Sequence, residues 1–470
     1  MRLSPLRSAR TAGNAGLPFF AAAAALVATA ASTLPPRLAQ AADELRIPFT
    51  KTTLKNGLVV VLSPDHSVPQ AAVNVSYRVG SRMERPGRTG FAHLFEHLMF
   101  MGTQRAPTQA FDSWMEAAGG RNNAWTSEDR TDYFDIAPPP AVPLLLWLEA
   151  DRMRDLGPLI DQDKLDLQRD VVRNERRQSI ENRPYGVEEL VLPELLWPEA
   201  NPYHHPVIGA HEDLQAATVT DVKEFFATWY DPANASLAVA GDFDPQAVMA
   251  DVERWFSSVP SRGKPADPGA PGFSDTKTTL TGVVRKTVPD NVQLAKVTLA
   301  WQSPKHFAAG DAELDLVAGV LAHGKASRLY KSLVYDQKIA QDVSAQQESR
   351  TLGSDFVVDA IVRPGVDPAK VEKALLEQVA LLCDRGVTVQ ELARASAGYE
   401  TDFVDRLQSV AERASLLNMY EAEVGDPGYI QADLERYRRA TPADLLAVAK
   451  KVLLPGAMVV LTVVPKKGGS

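Results

Sequence analysis

Apolar and polar positions along this chain fall into two recurring rhythms. Residues 58–62 are continuously apolar, whereas Val73, Val75, Tyr77 and Val79 alternate with Asn74, Ser76 and Arg78. The first run predicts a strand, and the period of two predicts a half-buried strand with its polar face toward water. Further strands are predicted at 132–137 and 234–241, with helices at 143–154 and 161–181. A Pro- and Gly-rich stretch at 260–272 reads as a linker. Beyond it the plan repeats, with a strand at 292–301, a helix at 312–322, and strands at 355–362 and 458–464.

One ungapped offset supports an internal duplication. At a spacing of 223 residues, Ala217-Thr218-Val219-Thr220-Asp221 meets Ala440-Thr441-Pro442-Ala443-Asp444, and Pro232 meets Pro455. The strand at 236–240 then meets 459–463. A chain of 470 residues has room for two domains. The expected fold is α+β: two homologous domains, each a mainly antiparallel sheet packed with helices. The expected division is a leader at 1–41, an N-terminal domain at 42–259, a linker at 260–285 and a C-terminal domain at 286–470.

Composition narrows the setting. The first 41 residues hold Arg2, Arg7, Arg10 and Arg37, no acidic residue, an apolar run and the small-x-small pattern Ala39-Gln40-Ala41. They read as a signal peptide, which predicts export, in a bacterium to the periplasm. A mitochondrial transit peptide, with the matrix as destination, is the alternative. Without these four arginines the net charge falls from −9 to −13, which argues against nucleic acid as the main partner. No later stretch has the length and apolarity of a membrane span. Cys383 is the single cysteine, so no internal disulfide can form.

The chemistry concentrates in His93-Leu94-Phe95-Glu96-His97. On a helix both imidazoles can reach one metal ion, with Glu96 beside it. Zinc hydrolysis needs neutral nitrogen ligands, an open position for water and a nearby base, and H-x-x-E-H is a zinc-peptidase signature. The flanks, Phe91, Leu94, Phe95, Leu98 and Met99, are apolar, so such polar groups in this helix need a partner. The matching second-half stretch, Leu316-Val317-Ala318-Gly319-Val320, has no ligands. A catalytic zinc takes three protein ligands. The helical stretch at 161–181 offers Asp170, Glu175 and Glu181, and spacing alone does not choose among them. His204, His205 and His211 cluster among prolines but fit no usual ligand spacing.

The combined pattern resembles the pitrilysin/insulinase family of zinc peptidases, which includes the mitochondrial processing peptidases. The resemblance rests on Gly80-Ser81-Arg82, on residues 90–100 around the motif, and on Asn174-Glu175-Arg176; it runs from about residue 52 to the C-terminus. It implies that His93, His97 and Glu175 hold one Zn2+ per chain and that Glu96 is the general base. Where the family often has a supporting glutamate seven residues before the third ligand, this chain has Gln168. Asn123 and Ala124, within Asn122-Asn123-Ala124-Trp125-Thr126, resemble the family's edge strand, which adds an extended peptide through main-chain hydrogen bonds. Arg328 and Tyr335, seven apart and so on one face of an α-helix, resemble the arginine–tyrosine pair directed toward the zinc site.

The implied protein is a zinc metalloendopeptidase that hydrolyses short or unfolded polypeptides in a closed chamber. In the family two such halves close face to face. A homodimer is therefore expected, each protomer lending Arg328 and Tyr335 to the other's zinc; a heterodimer with an inactive paralogue is the alternative. A non-catalytic subunit is the remaining reading. The presence of all four of His93, Glu96, His97 and Glu175 argues against it.

Overall fold

A computed structural model describes residues 45–267 and 280–466. The expected leader, part of the expected linker and the last four residues lie outside the described residues.

Eleven strands form two sheets among the described residues. The first contains β1 (Thr50–Thr53), β2 (Val59–Pro64), β3 (Ala71–Tyr77), β4 (Arg121–Thr126), β5 (Thr131–Ala137) and β6 (Ala235–Gly241), in the order β1-β2-β6-β3-β5-β4. The second contains β7 (Val283–Asp290), β8 (Lys296–Ser303), β9 (Ala340–Glu348), β10 (Ser354–Val362) and β11 (Met458–Pro465), in the order β7-β11-β8-β10-β9. Apart from β1 the two orders are the same. Each sheet has one parallel pair, β2 with β6 and β7 with β11, and is otherwise antiparallel.

Duplication therefore holds at the level of topology, and local devices repeat with it. Thr218 and Thr441 each cap the helix before the last strand of their half, in matching boxes with Asp221 and Asp444. The pentapeptide Thr50-Lys51-Thr52-Thr53-Leu54, which begins with β1, recurs in the sequence as Thr276-Lys277-Thr278-Thr279-Leu280.

The alternation in β3 misleads. All seven residues of this strand are buried, Asn74 and Ser76 included. The cover over the polar face comes from the second half: the helix Val410–Val424 lies across β3 and β6. Its Asn418 donates to the backbone oxygen and to Oδ1 of Asn74, at 3.0 and 2.6 Å. Ser76 and Ser415 both donate to Asp132, at 2.6 and 2.9 Å. Val410, Ala414 and Leu417 close the same face against Val61, Ala72 and Ala238. The exchange is mutual. The helix Val187–Leu196 of the first half packs on the second sheet, where Leu196 and Trp197 meet Ala300, Val357 and Val459. Each sheet thus has its own helices on one face and a helix from the other half on the other, which explains the nearly continuous apolar strands.

Other expectations shift in detail. The strand expected at 292–301 is β8 at Lys296–Ser303, because the backbone turns at Val292, whose N–H returns to the Asp290 carbonyl at 2.9 Å. β7 starts inside the stretch expected to be linker. Among the described residues no helix is long and apolar enough to cross a membrane.

Candidate metal centre

The motif helix, Phe91–Leu98, starts where Gly90 adopts a left-handed φ of 84°, and a Cβ there would stand 2.6 Å from the Ile208 carbonyl oxygen. No Ser, Thr, Asp or Asn caps it. Instead Glu84 reaches in from outside and accepts from Gly90 N and Ala92 N, both at 2.8 Å. A carboxylate against the helix N-terminus satisfies donors that would otherwise be orphaned. Phe91, Leu94, Phe95 and Leu98 are buried, which leaves His93, Glu96 and His97 on the remaining face.

A second helix, Gln162–Glu175, is capped by Asp161 and anchored by buried Leu165 and Val172. Glu175 is its last residue. From Arg176 to Glu181 the chain continues as a π-helix, a widened turn frequent at functional sites. Glu175, rather than Asp170 or Glu181, stands opposite the histidines. Its Oε2 lies 3.1 Å from His97 Nε2 and 3.7 Å from His93 Nε2. One ligand atom from each of His93, His97 and Glu175 falls within 4.8 Å of the others, the one such group among the described residues. His204, His205 and His211 do not converge: His204 meets the Trp197 carbonyl, His211 meets Glu181, and His205 faces Glu84.

The electrostatics suit a dication. Burial, with the neighbouring His97 imidazole, pushes the His93 pKa down to about 4, so the ring is neutral, as a metal ligand must be. The hydrogen bond with His97 holds the Glu175 carboxyl below its ordinary value and therefore ionised. Burial raises Glu96, partly offset by the hydroxyl of Thr126, which donates to Glu96 Oε2 at 2.5 Å. Two imidazoles and a carboxylate on one side, with a carboxyl of raised pKa beside them, form a donor set that fits zinc and a base. Gln168 does not join it: its amide donates to the Met101 thioether at 2.8 Å.

Asn123 and Ala124 lie on β4, the edge strand, opposite Phe134 and Tyr133 of β5. The Ala124 N–H donates to the side chain of Asn123 at 2.9 Å. A cavity of about 750 Å3 opens on His93 and Glu175, and it is also lined by Lys296, Glu348 and Asp359 of the second sheet and by Arg350 of the loop between β9 and β10.

The structure does not bring Arg328 and Tyr335 to this centre, nor put them on one helical face. The chain turns π-helical at Tyr330–Asp336, so a separation of seven no longer amounts to two turns. Arg328 is committed to Glu391, at 2.7 Å through both Nε and Nη2, and to the Gly386 carbonyl at 2.8 Å. Tyr335 is 72% exposed.

Sequence reasoning missed the supports. Glu84 as a remote cap was signalled only by a helix that begins Gly-Phe-Ala without a capping residue. Gly80-Ser81-Arg82 proves to be a clamp on the turn after β4. Ser81 N and Arg82 N donate to the carbonyls of Ser127 and Glu128, and the Arg82 guanidinium pairs with Asp129 at 2.8 Å. Arg350 of the second half holds Glu128 from the other side at 2.8 Å, and Thr351 N donates to Asp129 at 3.0 Å.

Two like-ordered sheets, with one group of residues that could hold a metal ion on helices of the first half, define a duplicated α+β protein of the peptidase type. The chain belongs to the insulinase family, peptidase family M16. Residues 59–202 match the family model described as Insulinase (Peptidase family M16), and residues 216–399 match Peptidase M16 inactive domain. The zinc protease PqqE of Helicobacter pylori is 31% identical over 371 residues, 78% of this chain and 82% of that protein. The crystal structure of a protease from Helicobacter pylori superposes with a TM-score of 0.82 at 27% identity, covering 90% of this chain and 100% of that one. The periplasmic protease PqqL of Escherichia coli shares the fold at a TM-score of 0.71 and 18% identity; 90% of this chain covers 48% of that one.

Proposed function

We propose that this protein is a zinc endopeptidase that cleaves short or unfolded polypeptides inside a chamber closed by two copies of the chain. The observation that carries the reading is the convergence of His93, His97 and Glu175 donors within 4.8 Å, with Glu96 on the same helix. Relatives named zinc proteases agree with that donor set. His93 and His97, through Nε2, and the Glu175 carboxylate would hold the metal. Zinc in such a site supplies positive charge for the scissile carbonyl and lowers the pKa of a water.

The remaining steps belong to the chain. Main-chain groups of Asn123 and Ala124 pair with the peptide as an added strand; the Asn123 side chain gives up the Ala124 N–H when that happens. Glu96 takes the proton of the attacking water and returns it to the leaving amine. Tyr335, exposed on the second half, donates to the substrate carbonyl oxygen in the partner's site. Arg328, tied to Glu391, fixes the segment that presents it. On this reading residues 42–259 form the catalytic half, 286–470 the half that completes a neighbour's chamber, and 1–41 a leader for export. PqqL, a single chain of which this one covers 48%, supports an assembly of two such units.

The test is Glu96→Gln, with metal analysis and an internally quenched peptide. The expected result is one zinc per chain, retained, and hydrolysis reduced by roughly 10²–10⁴-fold. Unchanged hydrolysis would overturn the mechanism. Size-exclusion chromatography of the chain expressed alone should give an active dimer, and an inactive monomer would sink the shared chamber.

A further inference from the structure

Thr126 ends β4, and its hydroxyl lies 2.5 Å from Glu96 Oε2. Its other polar neighbour, Thr131 Oγ1, stands 3.4 Å away and gives its own proton to the Val79 carbonyl at 2.8 Å. The Thr126 proton therefore has one strong acceptor, Glu96. The hydroxyl does not swing freely, because the backbone beyond it is pinned. The next two carbonyls, of Ser127 and Glu128, accept from Ser81 N and Arg82 N at 3.2 and 3.0 Å. Gly80 permits that approach: a Cβ there would stand 2.3 Å from the Ser127 oxygen.

A glutamate has three rotatable side-chain bonds, and one fixed oxygen removes most of that freedom. With Oε2 committed, Oε1 is left to meet a water. The same strand that ends in Thr126 carries Asn123 and Ala124, so whatever holds β4 straight also holds the hydroxyl. We propose that Thr126 is a positioning residue: it orients Glu96 for proton transfer and ties that orientation to the strand that receives the peptide. This rests on the reading of Glu96 as the base.

The test compares Thr126→Val, which keeps the shape and loses the donor, with Thr126→Ser, which keeps the donor. Both are measured as the zinc-loaded full chain for kcat, KM and zinc content, alongside Glu96→Gln and the Glu96→Gln/Thr126→Val double variant. Thr126→Val should lower kcat by roughly 10–100-fold, with KM within about threefold and zinc content unchanged. Thr126→Ser should restore kcat to within about threefold of the parent, and the double variant should be no slower than Glu96→Gln alone. The proposal is overturned by an unchanged kcat in Thr126→Val, by Thr126→Ser as slow as Thr126→Val, by zinc loss, or by a double variant slower than Glu96→Gln. An active Glu96→Gln enzyme would remove the base itself, and this inference with it.

Discussion

The helices Phe91–Leu98 and Asp311–Ala322 occupy the same place in two sheets of one strand order, and each follows a glycine of left-handed φ, Gly90 at 84° and Gly310 at 102°. Among the described residues, only the first contributes to a group that could hold a metal ion. It buries five residues and leaves His93, Glu96 and His97 on its remaining face, whereas the second buries eight around its whole circumference. A second contrast lies in the helix that packs beside each. Against Phe91–Leu98 stands Gln162–Glu175, which ends on a carboxylate; against Asp311–Ala322 stands Val389–Leu407, packed closely enough that a Cβ on Gly319 would lie 3.2 Å from Ala395. The scaffold does not make the site. A helix with one open face and a carboxylate across from it does, and the second half has filled both with packing.

The strongest way to break this comparison is to exchange tolerances. His97→Ala should abolish metal binding yet leave the fold intact, since His97 is partly exposed. Val317→Asp puts a carboxylate at a position of 0% exposure on the second helix and should cost at least about 4 kcal/mol, enough to unfold that half. Circular dichroism melts in chelator, which remove the stabilisation that bound metal adds, compare the two directly. A Val317→Asp chain that melts with His97→Ala would mean that the second helix has the slack of the first.

A smaller effect is a pH dependence carried by the second helix. Asp315, half-buried on the second helix, has its pKa raised from 3.8 to about 7 by desolvation and by the neighbouring Asp311 charge, while the Tyr437 hydroxyl at 2.7 Å works against the rise. The folded pKa lies above the unfolded one, so the stability contributed by the neutral carboxyl is complete below 3.8 and is lost as pH climbs through about 7. Asp315→Asn should flatten the decline in melting temperature across that window. An identical slope in the variant would remove Asp315 as the cause.

The same contrast sets what was legible in the chain. His93, Glu96 and His97 could be read because helical spacing alone brings them together. Glu175 could not be chosen over Asp170 and Glu181 from spacing, because the choice is made by how the helix Gln162–Glu175 packs on Phe91–Leu98, a contact between segments distant in the chain. Thr126 was invisible as a partner of Glu96, since the contact spans 30 residues and a strand. The polar side of β3 read as solvent-facing because Asn418, which satisfies Asn74, lies 344 residues away. β7 and β9 escaped for a different reason: Val-Val-Arg-Lys-Thr-Val-Pro-Asp and Ala-Gln-Asp-Val-Ser-Ala-Gln-Gln-Glu are edge strands, largely exposed and largely polar. Topology supplied what composition lacked there, and the repeated strand order identifies β9 as the counterpart of β4.

The finest test asks whether the halves are equal where their devices are the same. Thr218 N and Thr441 N donate to Asp221 and Asp444 at 3.0 and 2.9 Å, and the return bonds, Asp221 N and Asp444 N to the threonine hydroxyls, are 3.2 and 3.3 Å. The helices that follow, Val219–Trp229 and Pro442–Val452, have 11 residues each. One environment differs: Arg88 reaches Asp221 at 3.2 Å, whereas Asp444 has no ion pair among the described residues. Thr218→Ala and Thr441→Ala each remove one cap and should each cost about 1 kcal/mol. Because Arg88 still anchors Asp221 after the threonine is gone, the loss at Thr218 should be the smaller by a few tenths, and high salt should erase that gap. Chemical denaturation of both variants at low and high salt measures it. A gap that persists in salt would place the difference in the packing of the two helices rather than in the single charge that distinguishes their caps.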